Sequence, residues 1–236
     1  MKIDGYPIFP TSNRFKLPFV TRNIMFKPGA LYRQSDYFKT INTFTNLGAW
    51  QQVDVNVKPR GDTSRLLDAD ILLYPAKKQS LNIDFEMSRN ANDVLTTGNL
   101  FGIGLNLGVR NRNAFRESIS SSSNLRFGVE LGTDIIQTFQ ASFAHNIYVP
   151  RFLTPFKIKS EKNLTNPRTI INFSTAYTHR LQFFDVRSVN TSWGYDWSKK
   201  NRSWQYLPFN FEYTSVNKYD SLLRLEETYP SLKQAF

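Results

Sequence analysis

The sequence predicts an antiparallel β-barrel wall crossing a membrane, preceded by a small α+β unit. Three segments carry that prediction. Leu81, Ile83, Phe85 and Met87 alternate with Asn82, Asp84, Glu86 and Ser88. Phe101, Ile103, Leu105, Leu107 and Val109 alternate with Gly102, Gly104, Asn106, Gly108 and Arg110. Leu125, Phe127, Val129 and Leu131 alternate with Arg126, Gly128, Glu130 and Gly132. Successive strand side chains point to opposite faces, so each segment has one apolar and one polar face. Small and charged residues suit a water-filled interior, and uncharged apolar residues suit lipid.

The α+β unit is read in chain order. Residues 1–23 read as irregular, because Pro7, Pro10 and Pro18 interrupt any long element. A short strand is expected at Asn23–Lys27, ended by Pro28-Gly29. Ser35 is the expected N-cap of a helix, with Asp36 favourable in its first turn. Tyr37, Ile41, Phe44 and Leu47 recur at helical spacing and define one buried stripe. Gly48 is the expected stop. Val53, Val55 and Val57 alternate as a strand. A turn at Pro59-Arg60-Gly61-Asp62 leads to a second strand through Ala69, Ile71 and Leu73.

From Ser80 onward no helix pattern appears before the last 20 residues. Strands are expected at 80–89, 99–110, 118–133, 137–149, 168–180, 185–198 and 204–216, separated by polar turns. Composition agrees. Aromatic residues make up 15%, including 20 Phe and 11 Tyr, and these residue types favour strands. No apolar run reaches the length of about 18 residues needed for a spanning helix. A mean hydropathy of -0.43 is compatible with a barrel, where only alternate residues face lipid.

The chain has no cysteine, which excludes disulfides and cysteine-based metal or redox sites. Its net charge is +11. The excess is spread along the chain: residues 1–78 carry 12 Lys/Arg against 6 Asp/Glu, and residues 79–236 carry 18 against 13. A nucleic-acid binder concentrates such charge on one segment or face, so nucleic acid is not an expected partner. Solubility of loops and lumen, or contact with anionic headgroups, accounts for it. The N-terminus lacks the apolar core of a signal peptide. An exported protein needs one, so the chain reads as processed or as part of something longer.

Several motifs next identify a resemblance. Gly29-x-x-Tyr32, a helix, then Asn46-Leu47-Gly48-Ala49-Trp50-Gln51-Gln52-Val53-Asp54-Val55 resembles the second half of a POTRA domain, with Trp50 where Phe is common. Arg110-Asn111-Arg112-Asn113-Ala114-Phe115-Arg116 is similar to the turn after the second barrel strand of BamA/TamA-like outer-membrane assembly proteins. Tyr148-Val149-Pro150-Arg151-Phe152-Leu153-Thr154-Pro155-Phe156 is similar to the end of their fourth strand, and Gly194-Tyr195-Asp196-Trp197 to their sixth. The resemblance covers roughly residues 22–216. Two features depart from it: about seven strands stand where the family has sixteen, and the late Val-Arg-Gly-Phe motif is absent. Both fit a chain holding the last POTRA domain (residues 1–78) and the first half of the barrel (residues 79–236).

The resemblance implies a non-enzymatic factor of a Gram-negative outer membrane, its N-terminal module in the periplasm. It would insert or translocate other proteins without a cofactor. Its partners would be outer-membrane lipids, unfolded outer-membrane or secreted clients, and accessory assembly proteins. The POTRA strand edge, Gln52, Val53, Asp54, Val55, Asn56 and Val57, would accept a client strand through backbone hydrogen bonds. Leu81, Asn82, Ile83, Asp84, Phe85, Glu86 and Met87 would form the first barrel strand, at a seam where new strands are templated. The alternatives are a passive porin-like transport barrel and a soluble all-β carbohydrate-binding protein.

Other candidates read more plainly. Trp193, Tyr195, Trp197, Trp204 and Tyr206 cluster around one turn, as interface aromatics do. Gly98, Gly102, Gly104 and Gly108 lack the strand–loop–helix context of a phosphate loop and read as small lumen residues. His145 and His179 lack metal-ligand spacing and read as polar lumen or rim residues. Asp84, Glu86 and Glu130 read as lumen charges balanced by Arg110 and Arg126 rather than a glycosidase pair. Ser118–Ser123 offers hydroxyls without a base, so no catalytic residue and no metal site is expected.

Overall fold

A computed structural model describes residues 2–61, 65–90, 100–132, 135–154, 165–199, 202–219 and 223–224. Gly98, Asp62 and Pro155-Phe156 lie outside the described residues.

The N-terminal residues are more ordered than the prolines suggest. β1 (Lys2–Ile3) and β2 (Tyr6–Pro7) form a minimal hairpin. Its turn needs positive φ at Asp4 (51°) and Gly5 (88°), which aspartate tolerates and glycine adopts at no steric cost. α1 (Leu17–Arg22) follows. Pro18 sits in its first turn, where no backbone N–H has a partner to lose, so it starts this helix rather than breaking it.

The strand expected at Asn23–Lys27 does not form. The N–H groups of Asn23 and Ile24 bond to the α1 carbonyls of Val20 and Thr21. That of Met25 donates to Thr40 Oγ1 at 3.1 Å. Donors a ladder would need are already committed.

α2 (Gln34–Asn46) carries the stripe expected of it. Phe44 is fully buried, and Tyr37, Ile41 and Leu47 are half-buried. Thr40 is also fully buried on that side, its hydroxyl donating to the Asp36 carbonyl at 2.8 Å. The N-cap is Arg33, not Ser35, and it makes no side-chain cap bond. The Arg33 carbonyl closes the first turn by accepting from Asp36 and Tyr37. Gly48, at φ 64°, stops the helix.

β3 (Trp50–Pro59) and β4 (Leu67–Pro75) then form an antiparallel hairpin, with Val53, Val55 and Val57 opposite Leu73, Ile71 and Ala69. α2 packs on β3. Trp50 joins the parts. Its ring stacks on Phe15 at 3.9 Å and meets Phe44 edge-on at 5.9 Å. Phe15, Phe19 and Ala49 complete this core.

The remaining strands are β5 (Gln79–Asn90), β6 (Leu100–Ala114), β7 (Ile119–Gly132), β8 (Ile135–Val149), β9 (Thr165–Arg180), β10 (Phe184–Lys199) and β11 (Arg202–Lys218). All seven expected strands form, most of them longer by a few residues. They pair antiparallel with sequence neighbours in one seven-stranded sheet whose edges are β5 and β11. The turn after β6 begins only at Phe115, because Asn111 and Arg112 continue the strand.

The N-terminal residues pack against one end of this sheet, here called the near end. The Lys16 N–H donates to the Arg116 carbonyl at 3.0 Å, and the Asn113 amide donates to the Arg14 carbonyl at 2.8 Å. Arg116 also hydrogen-bonds Asn13. Asn46 on α2 donates to Asn166 at 2.9 Å.

Candidate functional site

The strand register sorts the sheet into two faces. Asn82, Gly108, Asn124, Ala144, Ser174, Asn190 and Glu212 share one row of the polar face. Arg126 bonds Glu86 across that face at 2.6 Å, so the expected charge pairing holds for these two. Gly102, Gly104 and Gly108 also lie here. A Cβ at Gly102 would meet Ser88 Oγ at 2.3 Å and one at Gly108 would meet Asn124 Oδ1 at 3.0 Å. Glycine permits this close approach of polar neighbours.

The opposite face carries an apolar band that runs obliquely across the strands. The row through Met87 continues Ile103, Val129, Phe139, then His179, Asp185, Asn217. It turns polar after β8. The row through Gln79 continues Asn111, Ser121, then Ile147, Ile171, Trp193, Phe209. It turns apolar after β7. On β5 the band spans Leu81 to Met87, centred on position 84, while on β11 it centres on Phe209, whose row passes through Gln79. The centre thus drifts by roughly five residues over six strand steps. At about 3.4 Å per residue and about 4.8 Å per strand, the band crosses the rows at about 30°.

Large apolar side chains in this band stand open: Leu81, Ile83, Phe85 and Met87 on β5, and Phe209, Phe211 and Tyr213 on β11. His145 departs from expectation. It lies on the apolar face, directly opposite Ser123, and its Nδ1 is 2.7 Å from Ser123 Oγ. The period of two puts position 145 in step with Phe143 and Ile147, whatever its polarity. His179 does sit at a rim, beyond the band on the far end. Its Nδ1 lies 2.5 Å from Asp185, which also accepts from Tyr177 and Tyr219.

The five aromatics come together at the near end of the apolar face. Tyr195 faces Tyr206 and Trp197 faces Trp204 across β10 and β11, next to the Trp193–Phe209 pair. No local pattern marks their further partner. The segment after β8 folds over β9, with the Leu153 N–H donating to Thr169 Oγ1 and that hydroxyl donating to the Arg151 carbonyl, both at 2.8 Å. Phe152 then meets Tyr195 and Trp197 edge-on at 5.4 and 5.8 Å.

No protein-family model matches this chain, and no curated protein matches it. Among solved structures it is similar to the crystal structure of BamA from Haemophilus ducreyi lacking POTRA domains 1-3, at 9% identity and a TM-score of 0.36. That match covers 87% of this chain and 46% of the other, so the chain spans about half that protein's length.

The two candidate strand edges are both placed. β5 pairs only with β6, so the edge bearing Leu81–Met87 faces no strand among the described residues. β3 pairs only with β4, so the other edge of Gln52–Val57 is likewise without a strand. The structure does not bring these two edges together into one site. Among the described residues no helix is long and apolar enough to cross a membrane, which leaves strands unaddressed. Among the described residues no cluster of His, Cys, Asp or Glu could hold a metal ion.

Proposed function

We propose that this chain forms part of a transmembrane β-barrel of an outer membrane and acts in inserting or translocating other proteins. The oblique apolar band carries the membrane reading. A bilayer imposes an apolar belt parallel to its own plane, whereas register rows run perpendicular to the strands. In a barrel with tilted strands, belt and rows must therefore cross. The crossing of about 30° approaches the tilt of about 35–45° typical of such barrels. A soluble sandwich has no reason to displace its apolar face by some five residues between one edge strand and the other.

Sheet edges without a strand partner among the described residues support the assembly role. Unsatisfied backbone groups cost several kcal/mol each in lipid, so β5 and β11 require partners there. Seven antiparallel strands leave β5 and β11 pointing the same way. Antiparallel closure then needs an odd number of further strands, and a second copy of the sheet would produce parallel seams. A client strand added at β5 satisfies the same groups, and the β3 edge offers extended chains a first contact. The α+β unit is read here as the POTRA module of a BamA/TamA-like protein, placed in the periplasm at the near end.

The chain reconstituted into vesicles tests both parts. Its four tryptophans are Trp50, Trp193, Trp197 and Trp204. Lipids brominated near the headgroup should quench the last three and spare Trp50. Equal quenching by aqueous and lipid-borne quenchers would reject the membrane reading. Photocrosslinkers at Asn82 and Asn56 should then capture an unfolded barrel client and not a folded soluble protein. Failure of both to do so would reject the assembly role alone.

A further inference from the structure

We infer that the near rim holds a binding surface for anionic phospholipid headgroups, built by the N-terminal module and the sheet together. This rests on the membrane reading above. Lys16 and Arg22 come from the N-terminal residues, Arg116 from the turn after β6, and Arg151 from the end of β8. Three of them act on one carboxylate, that of Glu117, and Arg116 is its chain neighbour. Glu117 takes Lys16 at 2.7 Å and Arg151 at 3.4 Å, and Arg22 adds to the field that lowers its pKa. Four cations against one anion leave a surplus of three. Counting Asp4, which holds the Thr21 hydroxyl at 2.7 Å, it is still two.

Placement makes that surplus a lipid site. Arg151 is chain neighbour to Phe152, which packs on Tyr195 and Trp197. The cations therefore adjoin the aromatic cluster that marks the headgroup level. Phe115 stands 76% exposed beside Arg116. It offers an apolar side chain next to a guanidinium, which suits the boundary between acyl chains and phosphates. Guanidinium groups bind phosphate oxygens in bidentate fashion. A cation near an anionic membrane surface contributes about 1 kcal/mol, roughly a fivefold enrichment.

Energy transfer from the rim tryptophans reads the proposal directly. The chain is reconstituted in phosphatidylcholine vesicles doped with dansyl-phosphatidylglycerol or, in parallel, dansyl-phosphatidylcholine. The expected result is several-fold stronger transfer to the anionic probe, abolished by high salt. Arg22→Gln, an exposed position, should reduce the preference. Arg22→Gln, Arg116→Gln and Arg151→Gln together should remove it. The control Lys27→Gln, Lys39→Gln and Lys58→Gln changes charge equally and should leave it intact. Equal transfer to both probes, or equal loss in the control, overturns the lipid site while the membrane reading stands. Displacement of the anionic probe by inorganic phosphate would also overturn it, since the site would then bind free phosphate. No transfer to either probe, with lipid-borne bromine also silent, would fault the membrane reading instead.

Discussion

Gly194 lies so close to β11 that a Cβ there would sit 2.6 Å from the Tyr206 carbonyl oxygen. This is where the β10–β11 register shifts, between Trp193 and Tyr195. The obstacle is backbone, with Leu207 Cδ2 at 2.5 Å besides, so it cannot rotate away. Gly194→Ala should therefore displace β11 and cost roughly 1–3 kcal/mol, as overpacking does. Faster amide exchange in residues 204–209 than in β6 and β7 would show it. Gly102→Ala is the contrast. Its one tight contact is with the Ser88 hydroxyl, which can rotate, while Ser88 Cβ and Glu130 Cγ stand at ordinary contact distances, so it should cost less.

Glu117 makes attachment of the N-terminal residues sensitive to acid. Its hydrogen bond from Lys16, helped by Arg151 and Arg22, holds its carboxyl below the usual range despite the opposing effect of burial. A group with a lowered folded pKa stabilises the folded form fully above its unfolded value, about 4.3. That contribution disappears as pH falls through the lower folded value. Protection of the Lys16 amide, bonded to Arg116, measured against its intrinsic exchange rate at each pH, should thus fall below about pH 4. In Glu117→Gln that protection should already be lower at neutral pH and lose this pH dependence.

The strands were legible because each alternates over many residues, a period-two signal that burial on one face enforces. α2 was legible through its stripe at Tyr37, Ile41, Phe44 and Leu47. α1 was not, since a single turn containing Pro18 has too few residues to show a period. Ser35 misled because side-chain capping competes with the geometry of the incoming loop. The aromatic cluster was readable from closeness in sequence. Its contact with Phe152, and the pairing of Lys16 with Glu117 some hundred residues away, depend on packing that local pattern does not encode. The drift of the apolar band was hidden too, because it exists only once the register aligns one strand with the next.

Thr40 ties the residues after α1 to α2. Its hydroxyl accepts from Met25 and donates to Asp36 while fully buried. Thr40→Val keeps the shape but strands the Met25 donor, at a cost of about 1–3 kcal/mol. Thr40→Ser keeps both bonds and should cost less. Denaturant unfolding followed by Trp50 fluorescence would rank them. Equal stability of Val and Ser variants would show that the hydroxyl carries no weight.

Val129 and Asn217 share one register row but lie on opposite sides of the band's edge. The row runs from Val129 through Phe139, His179 and Asp185 to Asn217. On β7 position 129 is near the middle of the apolar span from Leu125 to Leu131, whereas on β11 position 217 lies beyond it. If lipid covers the band, an arginine at 129 should cost roughly 2–4 kcal/mol, and one near the interface roughly 0–1. Val129→Arg should then lower folding yield in vesicles sharply and Asn217→Arg hardly at all, the latter also gaining Asp185 as a neighbour. A belt lying along the rows would put both positions at the same depth and make the two substitutions equally costly. The difference between these two variants therefore measures the tilt of the belt itself.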